Sequence, residues 1–182
     1  MYWVLESDLR VEGMASVMDV PDELDLRDYM LGKVAPKIEA PLRLMLSAAS
    51  GEFRGDIIGP VVTLFSDELI EMLTNYGVDN IDYTPVELIH SITQEVEFGY
   101  SLANILGLIR CVDNYDMDAP PLQRPTSLEH FTINAESVRG CPIFRLAESP
   151  RLIVIENALR DYLVAQKVVG VRMRKTEDYE VW

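Results

Sequence analysis

The sequence predicts an α+β fold with a mixed or antiparallel sheet, two similar strand–helix–strand units and a central strand region between them. Three observations predict it. Short branched and aromatic runs outnumber helix-period segments, the strand–helix–strand pattern at residues 61–84 returns at 151–175, and an alternating stretch near residue 100 lies between the two. At 182 residues the chain is long enough to bury about 70% of its unfolded surface, so one domain spanning 1–182 is expected, with no disulfide staple needed.

Tyr2 to Leu5 suits a first strand. Residues 7–37 are acidic and punctuated by Pro21 and Pro36, and signal helix only weakly. Leu42 to Leu46 alternates in part, and Gly51, Gly55, Gly59 and Pro60 mark a loop. Val61 to Phe65 then reads as a buried strand. Ser66 can cap a helix whose first turn carries Asp67 and Glu68, where carboxylates oppose the positive end of the helix dipole. Leu69, Ile70, Met72, Leu73 and Tyr76 supply its apolar face, and Gly77 ends it by accepting a left-handed backbone. Extended structure resumes at Ile81-Asp82-Tyr83 before Pro85.

The stretch Val96 to Leu102 alternates apolar with small or polar residues and suits a strand with one buried face. Asn104 to Asp113 is apolar on both faces and reads as a central strand or a short helix, with Gly107 and the branched residues favouring the strand. Pro120, Pro121 and Pro125 form a connector, and Phe131–Ile133 and Ile143–Leu146 are further strand candidates. Leu152 to Ile155 reads as a strand, Asn157 as a capping candidate, Leu159, Tyr162 and Leu163 as a helix face, and Val171 to Arg174 as a closing strand. At an offset of ninety, Leu69, Leu73, Val78 and Ile81 match Leu159, Leu163, Val168 and Val171.

Charge is unevenly distributed. The net charge is −14, and residues 56–118 hold twelve acids and one base, Arg110. Residues 1–55 hold ten acids and six bases, and residues 119–182 hold eight and nine. Such a block repels phosphate and anionic membrane and speeds encounter with a basic partner. Nucleic acid and membrane are therefore excluded as partners, and Arg172, Arg174 and Lys175 read as charges guarding a strand edge. If the first helix buries Leu69, Met72 and Leu73, its acids face water. Asp67, Glu68, Glu71, Asp79, Asp82, Asp113, Asp116 and Asp118 are the candidate partner-binding carboxylates, two or three of which should carry most of the energy.

Known catalytic patterns are missing. No nucleophile elbow, phosphate loop, dinucleotide turn or Cys-x-x-Cys occurs, and His90 and His130 are forty residues apart. Asp113, Asp116 and Asp118 suggest the competing reading, a metal-assisted hydrolase of a small polar substrate. An EF-hand loop starting at Asp116 would, however, meet Pro121 where it needs glycine and Ser127 where it needs glutamate. No metal, no cofactor and no catalysis are expected. Cys111 and Cys141 read as reduced thiols, and the N-terminus lacks the pattern of a signal peptide, so a soluble cytoplasmic protein is expected. The oligomeric state stays open.

The run Gly99-Tyr100-Ser101-Leu102-Ala103-Asn104-Ile105-Leu106, closed by Val112-Asp113-Asn114-Tyr115-Asp116, resembles the central signature of a bacterial family. That family was long catalogued as a domain of unknown function and is assigned to polymorphic-toxin systems as immunity protein family eleven. Tyr2 to Leu5, Leu64 to Gly77, Ile143 to Leu146 after Gly140, and Leu152 to Met173 extend the similarity over nearly the whole chain. Lys167 departs from it, standing where a glycine would be expected. The resemblance implies a protein that binds and neutralises a cognate toxin without catalysis, and it transfers no binding residues. A subunit of a larger assembly is a third reading.

Overall fold

The computed structural model describes residues 1–21, 24–34, 41–113, 115, 118 and 127–181, and it has an α+β architecture built on two sheets. In chain order the elements are β1 (Tyr2–Ser7), β2 (Val17–Asp19), α1 (Leu26–Met30), β3 (Leu42–Leu46), β4 (Ile57–Ile58), β5 (Leu64–Ser66), α2 (Asp67–Tyr76), β6 (Ile81–His90) and β7 (Val96–Ile105). They continue with β8 (Leu108–Ile109), α3 (Ala135–Val138), β9 (Ile143–Leu146), β10 (Ile153–Glu156), α4 (Asn157–Ala165) and β11 (Val171–Lys175). One sheet has the order β11-β1-β10-β9-β8 and the other β2-β3-β6-β7-β5-β4. Both sheets are mixed: β3 pairs with β6 and β8 with β9 in parallel, and the other ladders are antiparallel.

The units β5–α2–β6 and β10–α4–β11 share a topology. Within each, the two strands run parallel but are not neighbours, because a third strand lies antiparallel between them: β7 in the first unit, β1 in the second. Their helices meet over a common core in which Leu69, Leu73, Leu159 and Leu163 are fully buried, and the Tyr76 and Tyr162 rings lie 5.2 Å apart. Each such leucine contributes roughly 1.5–3 kcal/mol by leaving water.

Strand alternation supplies two more cores. Leu64 faces a cluster with Leu44, Leu46, Leu88, Leu102 and Tyr29 of α1, whereas its neighbour Phe65 faces the helices. Val154 packs with Val4, Phe144, Leu146 and Phe131 on the outer side of the other sheet, whereas Ile153 and Ile155 face inward. Among the described residues no helix is long and apolar enough to cross a membrane.

Several local expectations are corrected. The strand expected at Val61–Phe65 begins only at Leu64; Pro60 has no N–H to give a ladder, and residues 60–62 bend, leaving Val61 half exposed. The strand expected through 104–113 is split between the sheets. β7 ends at Ile105, Gly107 takes a positive φ of 125°, and the chain crosses to the far edge of the other sheet as the two-residue β8. Residues 131–133 form no strand, and Ile133 makes one isolated bridge to Val112. Asn157 is the first residue of α4 and not its cap; its side chain accepts from Trp3 Nε1–H at 3.0 Å and donates to Asp161 at 2.9 Å. The proline connector lies outside the described residues.

Candidate interaction surface

Helix α2 forms where its caps are satisfied. The Ser66 hydroxyl accepts from Leu69 N–H at 3.0 Å, and Gly77 closes the helix at φ 100°. Burial of Leu69 and Leu73 turns Asp67, Glu68 and Glu71 outward, and all three are exposed. Glu71 lies three and four residues after the other two, so they share one helix face. No ion pair reaches any of them among the described residues. Three carboxylates without an ion-pair partner among the described residues thus occupy about one turn.

The N-terminus of α2 abuts β7. Ser66 pairs with Tyr100, and Asp67 Oδ2 lies 3.9 Å from where a side chain on Gly99 would begin. Beyond this point the β6–β7 hairpin runs on uncovered by the helix. Leu88 pairs with Glu97 and packs into the core shared with Leu44 and Leu102, so Glu97 lies on that face. Its carboxylate accepts from Arg54 Nε–H and Nη2–H, both at 2.7 Å, and the guanidinium holds the carboxyl below its ordinary range. Val96 and Phe98 lie on the opposite face, the side of α2, and are 44% and 69% exposed. Ile92 at the hairpin tip is also exposed, and the same sheet face continues to half-buried Ile89 and Met45, which pair across β6 and β3. This sheet face also carries the Arg43–Glu87 ion pair, at 2.9 Å, and it adjoins the acidic helix face at Asp67 and Gly99.

The eight candidate carboxylates do not form one patch. Asp67, Glu68 and Glu71 share the α2 face. Asp79 is exposed past the other end of the helix, where it adds to the rise that burial causes in the Cys141 thiol. Asp82 is exposed on β6, but its neighbours Ile81 and Tyr83 face the helices, so Asp82 lies on the reverse side. There it adds to the rise that burial causes in the Tyr29 phenol. Asp113 accepts from the Thr132 hydroxyl at 3.2 Å, and Asp118 lies 3.4 Å from Arg110. Asp116 lies outside the described residues. Among the described residues no group of three His, Cys, Asp or Glu side chains could hold a metal ion. Both cysteines are free, and burial pushes the Cys111 thiol up to about 12.

Val96 and Phe98 are the residues that sequence reasoning missed. Residues 96, 98, 100 and 102 alternate as if they formed one buried row, but the ladder slips between Val86 and Leu88. The extra residue at Phe98-Gly99 forms a bulge, with Gly99 at φ 92°, and it divides the row. Tyr100 and Leu102 enter the core while Val96 and Phe98 emerge on the other face. The glycine inside an otherwise regular strand was the available signal.

No protein-family model matches the chain, and no curated protein matches it at a significant level.

Proposed function

We propose that this chain is an immunity protein that binds a cognate bacterial toxin and neutralises it stoichiometrically in the cytoplasm of the producing cell. The observation that carries the reading is the junction of the exposed Val96 and Phe98 face with the unpaired Asp67, Glu68 and Glu71 of α2. An aromatic anchor beside a mainly acidic rim is the anatomy of a protein–protein interface, where the apolar centre holds the complex and the rim sets encounter rate and partner choice. The matching partner is a protein with a basic surface around an apolar pocket. Toxins that act on nucleic acid carry basic surfaces, and occupation of such a surface blocks substrate. The family resemblance supports the same reading.

The test is a native pull-down of the tagged chain from its host at low salt, followed by co-expression and kinetics. The expected result is one basic protein recovered at a one-to-one ratio, whose expression kills cells unless this chain is present. Glu68→Lys with Glu71→Lys should slow association about tenfold at low salt and far less at high salt. Phe98→Ala should speed dissociation roughly thirtyfold, as for loss of a ~2 kcal/mol anchor. A recovered partner that kills cells despite co-expression defeats the reading. Variants that bind and protect like the wild type would move the interface elsewhere on the chain.

A further inference from the structure

A cavity of about 550 Å³ lies between the two sheets, walled by β1, β9 and β10 on one side and by β4, β7 and α1 on the other. That is within the range of ordinary small-molecule sites, about 300–1,000 Å³. Leu5, Leu102 and Ile153 are among its apolar walls, and all are buried. Arg145 also lines it and is only 3% exposed. Its Nη1 donates to the Pro150 carbonyl at 3.0 Å and its Nη2 to the Thr63 hydroxyl at 3.3 Å, and its Nε–H is buried with no acceptor among the described residues. No carboxylate pairs with Arg145 among the described residues. Burial lowers its pKa to about 10, so it stays charged at neutral pH. An unpaired guanidinium out of water is destabilising unless an anion joins it.

A second orphan lies in the same cavity: the Ser7 hydroxyl is buried without a partner among the described residues. Glu6 reaches the lining, but Arg174 holds its carboxylate at 2.8 Å. Arg151 is exposed at the lining and adds a second positive charge.

We propose that this cavity binds a small monocarboxylate with an apolar body, its carboxylate paired with Arg145 and its hydrocarbon part held against Leu5, Leu102 and Ile153. One buried cation balances one negative charge, so a monoanion fits and a phosphoryl dianion would bring an excess charge out of water. The apolar walls exclude a purely polar acid. Ser7 offers a further donor, and Arg151 draws anions to the entrance. The cavity shares no residue with the Val96 and Phe98 surface, so this site stands or falls independently of toxin binding.

The experiment is calorimetric titration of the full chain with octanoate and phenylpropionate, with octanol and inorganic phosphate as the uncharged and non-apolar controls. The acids are expected to bind one-to-one at millimolar concentration or below, octanol at least about tenfold more weakly, and phosphate not at all. Arg145→Met should weaken the acids about 10- to 100-fold, and because it also removes the bonds to the Pro150 carbonyl and Thr63 hydroxyl, its fold is checked by circular dichroism before titration. Val61→Trp, at a half-exposed lining position, should also weaken them without touching Arg145. The wild-type preference for acid over alcohol requires no variant to fold. Failure of both acids to bind, equal binding of octanol, or undiminished binding in the variants overturns the proposal.

Discussion

Asp56 joins the two strand–helix–strand units, and its removal should cost more stability than any surface change on this chain. It is 6% exposed and lies at the entry to β4. Its Oδ1 accepts from the Ser66 hydroxyl at 2.6 Å, and its Oδ2 accepts from Val169 N–H at 2.7 Å, in the turn before β11. Its own N–H donates to the Val169 carbonyl at 2.9 Å, and its carbonyl accepts from Ser66 N–H at 3.0 Å. The carboxylate therefore holds the cap of α2 in one unit and the returning loop of the other. Hydrogen bonds to a charged group contribute about 1.5–3 kcal/mol each, so Asp56→Ala, which removes two and orphans Val169 N–H, should cost about 3–6 kcal/mol. Asp56→Asn keeps the shape and one accepting oxygen. Its amide nitrogen can donate to a Ser66 oxygen that already accepts from Leu69, so its cost should be about 1–2 kcal/mol. Urea denaturation at neutral pH measures both, and a midpoint shift at constant slope reports stability directly. A double-mutant cycle with Ser66→Ala should show coupling of about 1 kcal/mol or more. An Asp56→Ala cost below about 1 kcal/mol, or additive single mutants, would refute the claim that this carboxylate joins the units.

Two further predictions rest on backbone and charge. Lys167 adopts φ 64° at the position ninety residues after Gly77, which closes α2 at φ 100°, so Lys167→Gly should stabilise the protein by about 0.5–1 kcal/mol, raising the Tm by about 1–4 °C in a thermal melt; an unchanged or lower Tm would show that the lysine is unstrained there. The Glu97 carboxyl is held below its ordinary value by Arg54, so its contribution is fully present above the unfolded-state pKa and is lost as pH falls through the lower folded value. Glu97→Gln should therefore cost about 0.5–1 kcal/mol at neutral pH, for a partly exposed pair, and the gap to wild type should begin to narrow near the ordinary carboxyl value of about 4.3 and close once the folded carboxyl is protonated; a gap that persists in acid would assign the loss to packing.

Elements with local causes were legible in the sequence. Ser66, Asp67, Glu68 and Gly77 name the two ends of α2 without reference to anything distant, and the spacing of Leu69 and Leu73 names its inner face. What could not be read depends on partners far along the chain. The Val61 strand begins late because only Leu64 to Ser66 meet β4 and β7, and the run after Asn104 divides because its halves pair in different sheets. The acidic block looked continuous because sequence order ignores which face a strand residue takes, and Asp82 is carried to the reverse of the sheet from Glu71. Arg145 gave a weak sign, a charge inside an otherwise apolar run, but its lack of a counter-ion is visible only in three dimensions.

The two units serve as controls for one another, and the comparison bears on what α2 is for. Leu69 and Leu73 correspond to Leu159 and Leu163, all fully buried, so the inner faces of α2 and α4 agree because the shared core demands it. The outer faces do not agree. Asp67, Glu68 and Glu71 correspond to Asn157, Ala158 and Asp161. Asn157 is engaged by Trp3, and Asp161 is met by Arg160 at 2.8 Å and by the Asn157 amide. A helix in this position is therefore compatible with a nearly neutral, internally paired outer face, and folding alone does not require three unpaired acids on α2. Clustered like charges one turn apart destabilise a helix by a few tenths of a kcal/mol per pair, apart from the favourable placement of the first two at the N-terminus. Glu71, beyond that first turn, has no such compensation among the described residues. Under the proposed function, that exposed charge is where a basic partner would gain most, which the Glu68→Lys and Glu71→Lys kinetics test.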